Sequence, residues 1–207
     1  MKWWMTLIGA MFLLTACTYE GSGETKQKEK GDSASSVTIK PAELSQREKS
    51  IITQMGGGYH TFYTVEGELN EGEGLISSIV TFKEGKQKRE LVSASEPGQQ
   101  KSYHHELHSF GLQMEKDTVN LMVGSPNGNA KGSTTVPEQI DRFHFEHLDE
   151  NMTVTKGEPI YLSYLVGTSQ HTFSVEANED LTTLPKSVAN AEYAVVFKVE
   201  WKDGTGL

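Results

Sequence analysis

Between Tyr193 and Lys202 every second residue is large and apolar: Tyr193, Val195, Phe197, Val199 and Trp201 stand against Lys198, Glu200 and Lys202. Successive side chains of a strand point to opposite faces, so this spacing describes an extended segment with one buried face. The same period recurs at Ile76, Ser78, Val80 and Phe82, at Val119, Leu121 and Val123, and at Ile160, Leu162, Tyr164 and Val166. Turn-forming sequences separate these runs: Asn70-Glu71-Gly72-Glu73-Gly74, Glu84-Gly85-Lys86, Lys116-Asp117, Lys156-Gly157-Glu158-Pro159 and Gly167-Thr168-Ser169. About nine strand candidates fall between residues 59 and 202, without helices between them, which calls for antiparallel pairing. The expected fold is mainly β, an antiparallel β-sandwich or a partly open barrel, preceded by one short amphipathic helix.

That helix is expected to begin at Pro41-Ala42-Glu43, where proline and an acid suit a first turn. Leu44, Glu48, Ile51, Ile52 and Met55 share its stripe, and Gly56-Gly57-Gly58 ends it. Two breaks interrupt the strands. Gly124 to Pro137 reads as an extended polar loop, and Asn178 to Asn190, with Leu181 and Leu184 before Pro185, as a segment holding a single helical turn.

Ahead of all this, Lys2 precedes a nearly unbroken apolar run from Trp3 to Leu14, which leads into Leu14-Thr15-Ala16-Cys17 and the sole cysteine of the chain. The run is shorter than the ~20 apolar residues a membrane-spanning helix needs and has the layout of an export signal. Its last four residues resemble the lipobox of bacterial lipoprotein precursors. That resemblance implies a diacylglyceryl group with palmitate-like chains on the Cys17 sulfur, cleavage just before Cys17, and a protein held on the extracytoplasmic face of the cell membrane. The expected organisation is a signal peptide over 1–16, a lipidated flexible tether over 17–39 and a β-sandwich domain over 40–207. Residues 18 to 38 hold almost no large apolar group, and a coil of ~20 residues spans about 25 Å on average. Leu44 to Lys49, the approach Gly57-Gly58-Tyr59 and the hairpin Val80 to Lys86 look like segments of Gram-positive lipoproteins of unassigned function, a resemblance that implies a setting and no activity.

The chain carries 19 Lys and Arg against 28 Asp and Glu, a formal net charge of −9. Nucleic acid and anionic membrane surfaces require basic patches, so neither is an expected partner, and membrane contact should come from the lipid on Cys17 alone. A single cysteine forms no internal disulfide.

Nucleophile motifs such as G-x-S-x-G are absent from the sequence, and the glycine-rich stretch 124–132 lacks the lysine and hydroxyl spacing of a phosphate-binding loop. Histidine alone is unevenly distributed. His104, Glu106 and His108 share one face of an ideal strand, as do His144 and Glu146 on another. If the two strands were neighbours, these nitrogen and oxygen ligands would converge on a zinc-like ion. A rival account keeps the histidines at the wet end of a core-facing strand, because Phe110, Leu112 and Met114 continue the phase of His104 and His108. The acid pairs Glu71 with Glu73, Asp149 with Glu150, and Glu179 with Asp180 read as solvated turn residues.

The expected function is therefore a lipid-anchored extracytoplasmic domain that binds or scaffolds an envelope protein or small ligand, with no catalytic residue nominated. The alternative is a metal-handling lipoprotein using the histidine and glutamate cluster. Replacing Cys17 by Ser is expected to abolish incorporation of radiolabelled fatty acid and to leave precursor or secreted protein; label retained by Cys17→Ser would overturn the lipoprotein reading.

Overall fold

A computed structural model describes residues 35–54, 56, 58–94, 101–147, 149–171 and 180–203, with no side-chain description for 91–94 or 101. The expected signal peptide, Cys17 and the tether as far as residue 34 lie outside the described residues, as do Met55 and Gly57. In chain order the elements are β1 (Ser36–Pro41), α1 (Gln46–Gln54), β2 (Tyr59–Leu69), β3 (Glu73–Lys83), β4 (Lys86–Ala94), β5 (Lys101–Glu115), β6 (Thr118–Ser125), β7 (Gly128–Thr135), β8 (Arg142–His147), β9 (Met152–Val154), β10 (Pro159–Thr168), α2 (Lys186–Ala189) and β11 (Tyr193–Asp203). One sheet runs β7-β6-β5-β2-β1-β9 and the other β4-β3-β11-β10-β8. Neighbouring strands in both sheets are antiparallel, and neither sheet closes on itself, so the fold is a β-sandwich.

The main core lies between the inner faces. Phe197 stacks on Phe110 with ring centroids 5.2 Å apart and on Tyr63 at 6.0 Å. All three are essentially fully buried, and rings of this size each remove roughly 150–250 Å² from water. Tyr193, Val195, Phe197, Val199 and Trp201 face this core as the alternation requires. Ala194 and Val196, on the opposite face of β11, are buried too. With Val80, Phe82, Tyr164 and Val166 they form a second cluster on the outer side of the five-stranded sheet, covered by Val188 of α2 and Ala191.

This second cluster corrects the expected strand faces. In β3 it is Leu75 and Ile79 that enter the main core, whereas Val80 and Phe82 turn outward to α2. In β10 a register shift between Tyr161 and Ser163 divides the expected stripe: Ile160, Leu162 and Leu165 face inward, Tyr164 and Val166 outward. A bulge inserts one residue and reverses the facing of the residues beyond it.

Three boundaries also differ. Among the described residues the first strand starts at Ser36, inside the expected tether, because Val37 and Ile39 are buried against β2. Pro41 therefore ends β1 opposite Tyr63, and α1 starts five residues later at Gln46. Its start is fixed by a reciprocal cap: the Ser45 backbone N–H donates to Glu48 Oε2 at 2.7 Å, and the Glu48 N–H to Ser45 Oγ at 3.3 Å. The stretch from Gly124 is no extended loop. Pro126 and Asn127 turn the chain between β6 and β7, and Val123 pairs with Ala130 and Leu121 with Gly132. β7 lacks large apolar residues, so its strand identity comes from its partner and not from its own pattern. The expected helical turn before Asn190 is α2, which follows Pro185.

Gly67 lets β1 lie close to β2. A Cβ there would sit 1.9 Å from the Ser36 carbonyl oxygen, and its φ of +127° suits glycine. Glu84 and Gly85, at φ 53° and 67°, form the two-residue turn that joins β3 to β4.

Glu73, expected in solvent, is only 7 % exposed. Its carboxylate takes Lys156 Nζ at 2.7 Å, the Asn70 N–H at 2.9 Å and the Ser35 hydroxyl at 3.1 Å, and Lys156 also reaches Asp203 at 2.6 Å. Burial works to raise the Glu73 pKa, but these donors together outweigh it and hold the carboxyl below the usual range. A depressed folded-state pKa adds stability above the unfolded value near 4.5 and loses it as pH falls through the folded value. Thermal melts from about pH 7 to about pH 3 are thus expected to show an acid-side loss of stability that is shallower in Glu73→Gln; an identical slope would remove Glu73 from this role.

Candidate functional site

The histidine strands come to lie in different sheets, β5 in one and β8 in the other. Along β5, Val65 pairs with Glu106 and Gly67 with Tyr103, which leaves His104 and His105 opposite the single residue Glu66. His105 has φ +53° at this bulge. Tyr103 takes the inward position, 2 % exposed, and His104 is thrown into solvent. His104 thus does not share a face with Glu106 and His108, contrary to the ideal-strand expectation.

Glu106 and His108 do point inward. His108 is 14 % exposed and Glu106 23 %, and their nearest atoms are 3.8 Å apart, an ion-pair distance too long for a hydrogen bond. His108 borders a void of about 10 Å³ with Ile39, Tyr63 and Phe197, and its ring meets Tyr103 edge-on at 6.4 Å. His144 and Glu146 bond each other on the outer side of the five-stranded sheet, opposite Val166 and Tyr164. One pair faces the interior and the other faces away from it, so the five expected ligands do not converge. Among the described residues no group of three or more His, Cys, Asp or Glu is placed to hold a metal ion. His105, which the metal reading left out, instead joins Lys40 in pairing with Glu66. The Lys40 hydrogen bond, assisted by His105 and opposed by burial, holds the Glu66 carboxyl below its ordinary range.

The structure assembles a different site. Where β2 begins, an open cleft of about 420 Å³ is lined by Tyr59, Phe62 and Tyr63, by Phe145 and His147 of β8, and by Pro41, Ala42 and Leu44. Tyr59 is 38 % exposed and stacks on the half-buried Phe145 at 4.6 Å, so one ring of the pair is accessible from solvent. His60 also lines the cleft and lies over Gly111, where a Cβ would approach its Nδ1 to 3.0 Å. The floor is Tyr63, 1 % exposed, whose hydroxyl donates to the Leu162 carbonyl at 2.9 Å. Burial pushes the Tyr63 phenol up to about 12, opposed by the Ser163 and Thr61 hydroxyls beside it. The floor is therefore a neutral donor with its proton committed to the backbone. A local signal existed in the sequence: Tyr59, Phe62 and Tyr63 supply aromatics to both phases of one strand, directly after a glycine run.

Apolar and aromatic walls with a few polar groups describe a recognition cleft on a two-sheet frame. The class defined by fold and site is an antiparallel β-sandwich with an aromatic cleft at one margin. The YgaN domain family is matched over residues 38–201, from within β1 to within β11, and the chain belongs to that family. No curated protein and no solved structure matches it.

Tyr63→Phe deletes only the hydroxyl and leaves the Leu162 carbonyl buried without its donor. Urea unfolding is expected to show a loss of about 1–2 kcal/mol, with the β-rich circular dichroism unchanged; an unaffected midpoint would mean that the bond contributes nothing.

Proposed function

We propose that this protein is a lipid-anchored extracytoplasmic binding domain, which uses the cleft between β2 and β8 to take a ligand or partner segment presenting an aromatic or flat apolar group. The exposed Tyr59 ring, stacked on Phe145, carries this reading. Aromatic rings favour a further ring at offset-stacked or edge-on distance, and Tyr59 has a face to offer. His147, in phase with Phe145 on β8, adds an imidazole at the same margin, able to orient a polar substituent. The anchor part of the reading rests on the lipobox resemblance at Cys17. A metal-handling role is not proposed, because the residues it needs lie on opposite sides of a sheet.

The cleft is tested by nuclear magnetic resonance titration of the full chain with a soluble aromatic probe, indole. Indole is expected to shift resonances of Tyr59, His60, Phe145 and His147, and Tyr59→Ala with Phe145→Ala to remove those shifts. Perturbations that cluster elsewhere, or that survive the double substitution, would rule out the cleft as the site.

A further inference from the structure

α1 lies in the connection between β1 and β2, which are neighbours in the six-stranded sheet, and both ends of that connection belong to the cleft. Pro41, Ala42 and Leu44 line it as the chain leaves β1, Gly58 and Tyr59 as it enters β2. These ends are held to the sheet. The Ala42 N–H donates to the Phe62 carbonyl at 2.9 Å, and Gly58 lies so close to β5 that a Cβ there would meet the Leu112 carbonyl oxygen at 2.7 Å.

The helix between these fixed points is not held in the same way. None of its nine residues is buried, and Ile51 is 48 % exposed. Helices shorter than ~12–15 residues are marginal in water and draw most of their stability from packing an apolar face. The supports of α1 are local and polar: the Ser45–Glu48 cap, and the Ser50 and Thr53 hydroxyls, which donate to the Gln46 and Lys49 carbonyls at 2.8 and 2.9 Å. Its two apolar side chains, Ile51 and Ile52, are consecutive and mark one side of the helix, with Gln46 on the opposite side. Beyond the helix, Gly56 has φ +100° and nothing within 4 Å of where a Cβ would stand. Glycine alone takes that conformation readily, and an uncrowded glycine past the end of a helix is a point about which the helix can turn.

We propose that α1 folds down over an occupied cleft and that Ile51 and Ile52 are contact residues for the ligand, which they cover from the side opposite the Tyr59 ring. The inference rests on the reading of the cleft as a binding site and deepens it. A ligand moves such an element only through contacts present in one position and absent from the other, and the unburied apolar side of α1 supplies them. The ligand class narrows accordingly. An isoleucine side chain has neither donor nor acceptor, so the part of the ligand lying beneath it is apolar, and burying a polar group there would cost its hydrogen bonds to water. The group selected is thus flat and apolar on both faces, stacked on Tyr59 below and packed on aliphatic carbon above.

Indole serves as the probe, and amide hydrogen exchange of the full chain is followed residue by residue. At saturating indole, exchange over 49–54 is expected to slow by about fivefold or more, since the helix then gains the packing it lacks. The double variant Ile51→Ser/Ile52→Ser is expected to bind indole about tenfold more weakly, with its β-rich circular dichroism unchanged because neither side chain is buried. Gln46→Ala, on the other side of α1, is expected to bind as the native chain does. Exchange over 49–54 that indole leaves unchanged, a double variant with native affinity, or an equal loss in Gln46→Ala would each overturn the proposal. The resonances of Tyr59 and Phe145 separate the two readings: if indole shifts them while α1 is unaffected, the cleft stands and the closure fails, and if indole shifts neither, both fail.

Discussion

The aromatic contact between the two sheets sets the position of everything else. Phe197 comes from the centre of the five-stranded sheet, Phe110 and Tyr63 from adjacent strands in the middle of the other, and the Phe110 and Phe197 rings lie within 1° of parallel. Stacked rings fix the sheet separation, and the bond from Tyr63 to Leu162 fixes their offset, because a slip of one residue would strand a buried carbonyl. The margin of this stack is the cleft: Phe145 lies 6.4 Å from Phe110 and 4.6 Å from Tyr59, so the aromatic row of the core runs continuously to the surface. Core and candidate site are one row of rings.

How much of this could be read from the sequence depended on whether a strand kept its phase. β11 and β6 are unbroken, and their inward residues, Tyr193 to Trp201 and Val119 to Val123, are those that alternate. β5 and β10 contain bulges, whose extra residue leaves no mark in composition. His104 shows the consequence, since one inserted residue carried it from the expected face into solvent. β3 fails for another reason: both its faces are buried, one by the main core and one by the cluster beneath α2, and alternation carries information only where one face is wet.

Local chemistry and long-range geometry were not equally legible. The Glu84-Gly85 turn is a short-range device written in consecutive residues, whereas the Ser45–Glu48 cap, local as it is, stands behind Pro41-Ala42-Glu43, which imitates a helix start ahead of it. The cleft and the Glu73 cluster join residues that only the sheet order brings together. Tyr59 and Phe145 carry no motif, and neither do Glu73, Lys156 and Asp203. An acid between two glycines, as in Gly72-Glu73-Gly74, looks solvated until a strand end and a lysine close over it.

The positions of these two assemblies along β2 give the domain a direction. Ser35 bonds Glu73, and Ser36 pairs with Glu68, so the chain enters the domain beside the far end of β2. The cleft lies at the opposite end, where β2 starts at Tyr59. Ten residue steps at strand rise separate Tyr59 from Leu69, about 33 Å. β8 also supplies a wall of the cleft. The cleft is therefore kept away from the point where the chain enters the domain, and the Lys156–Glu73–Ser35 contacts that hold that point maintain the polarity.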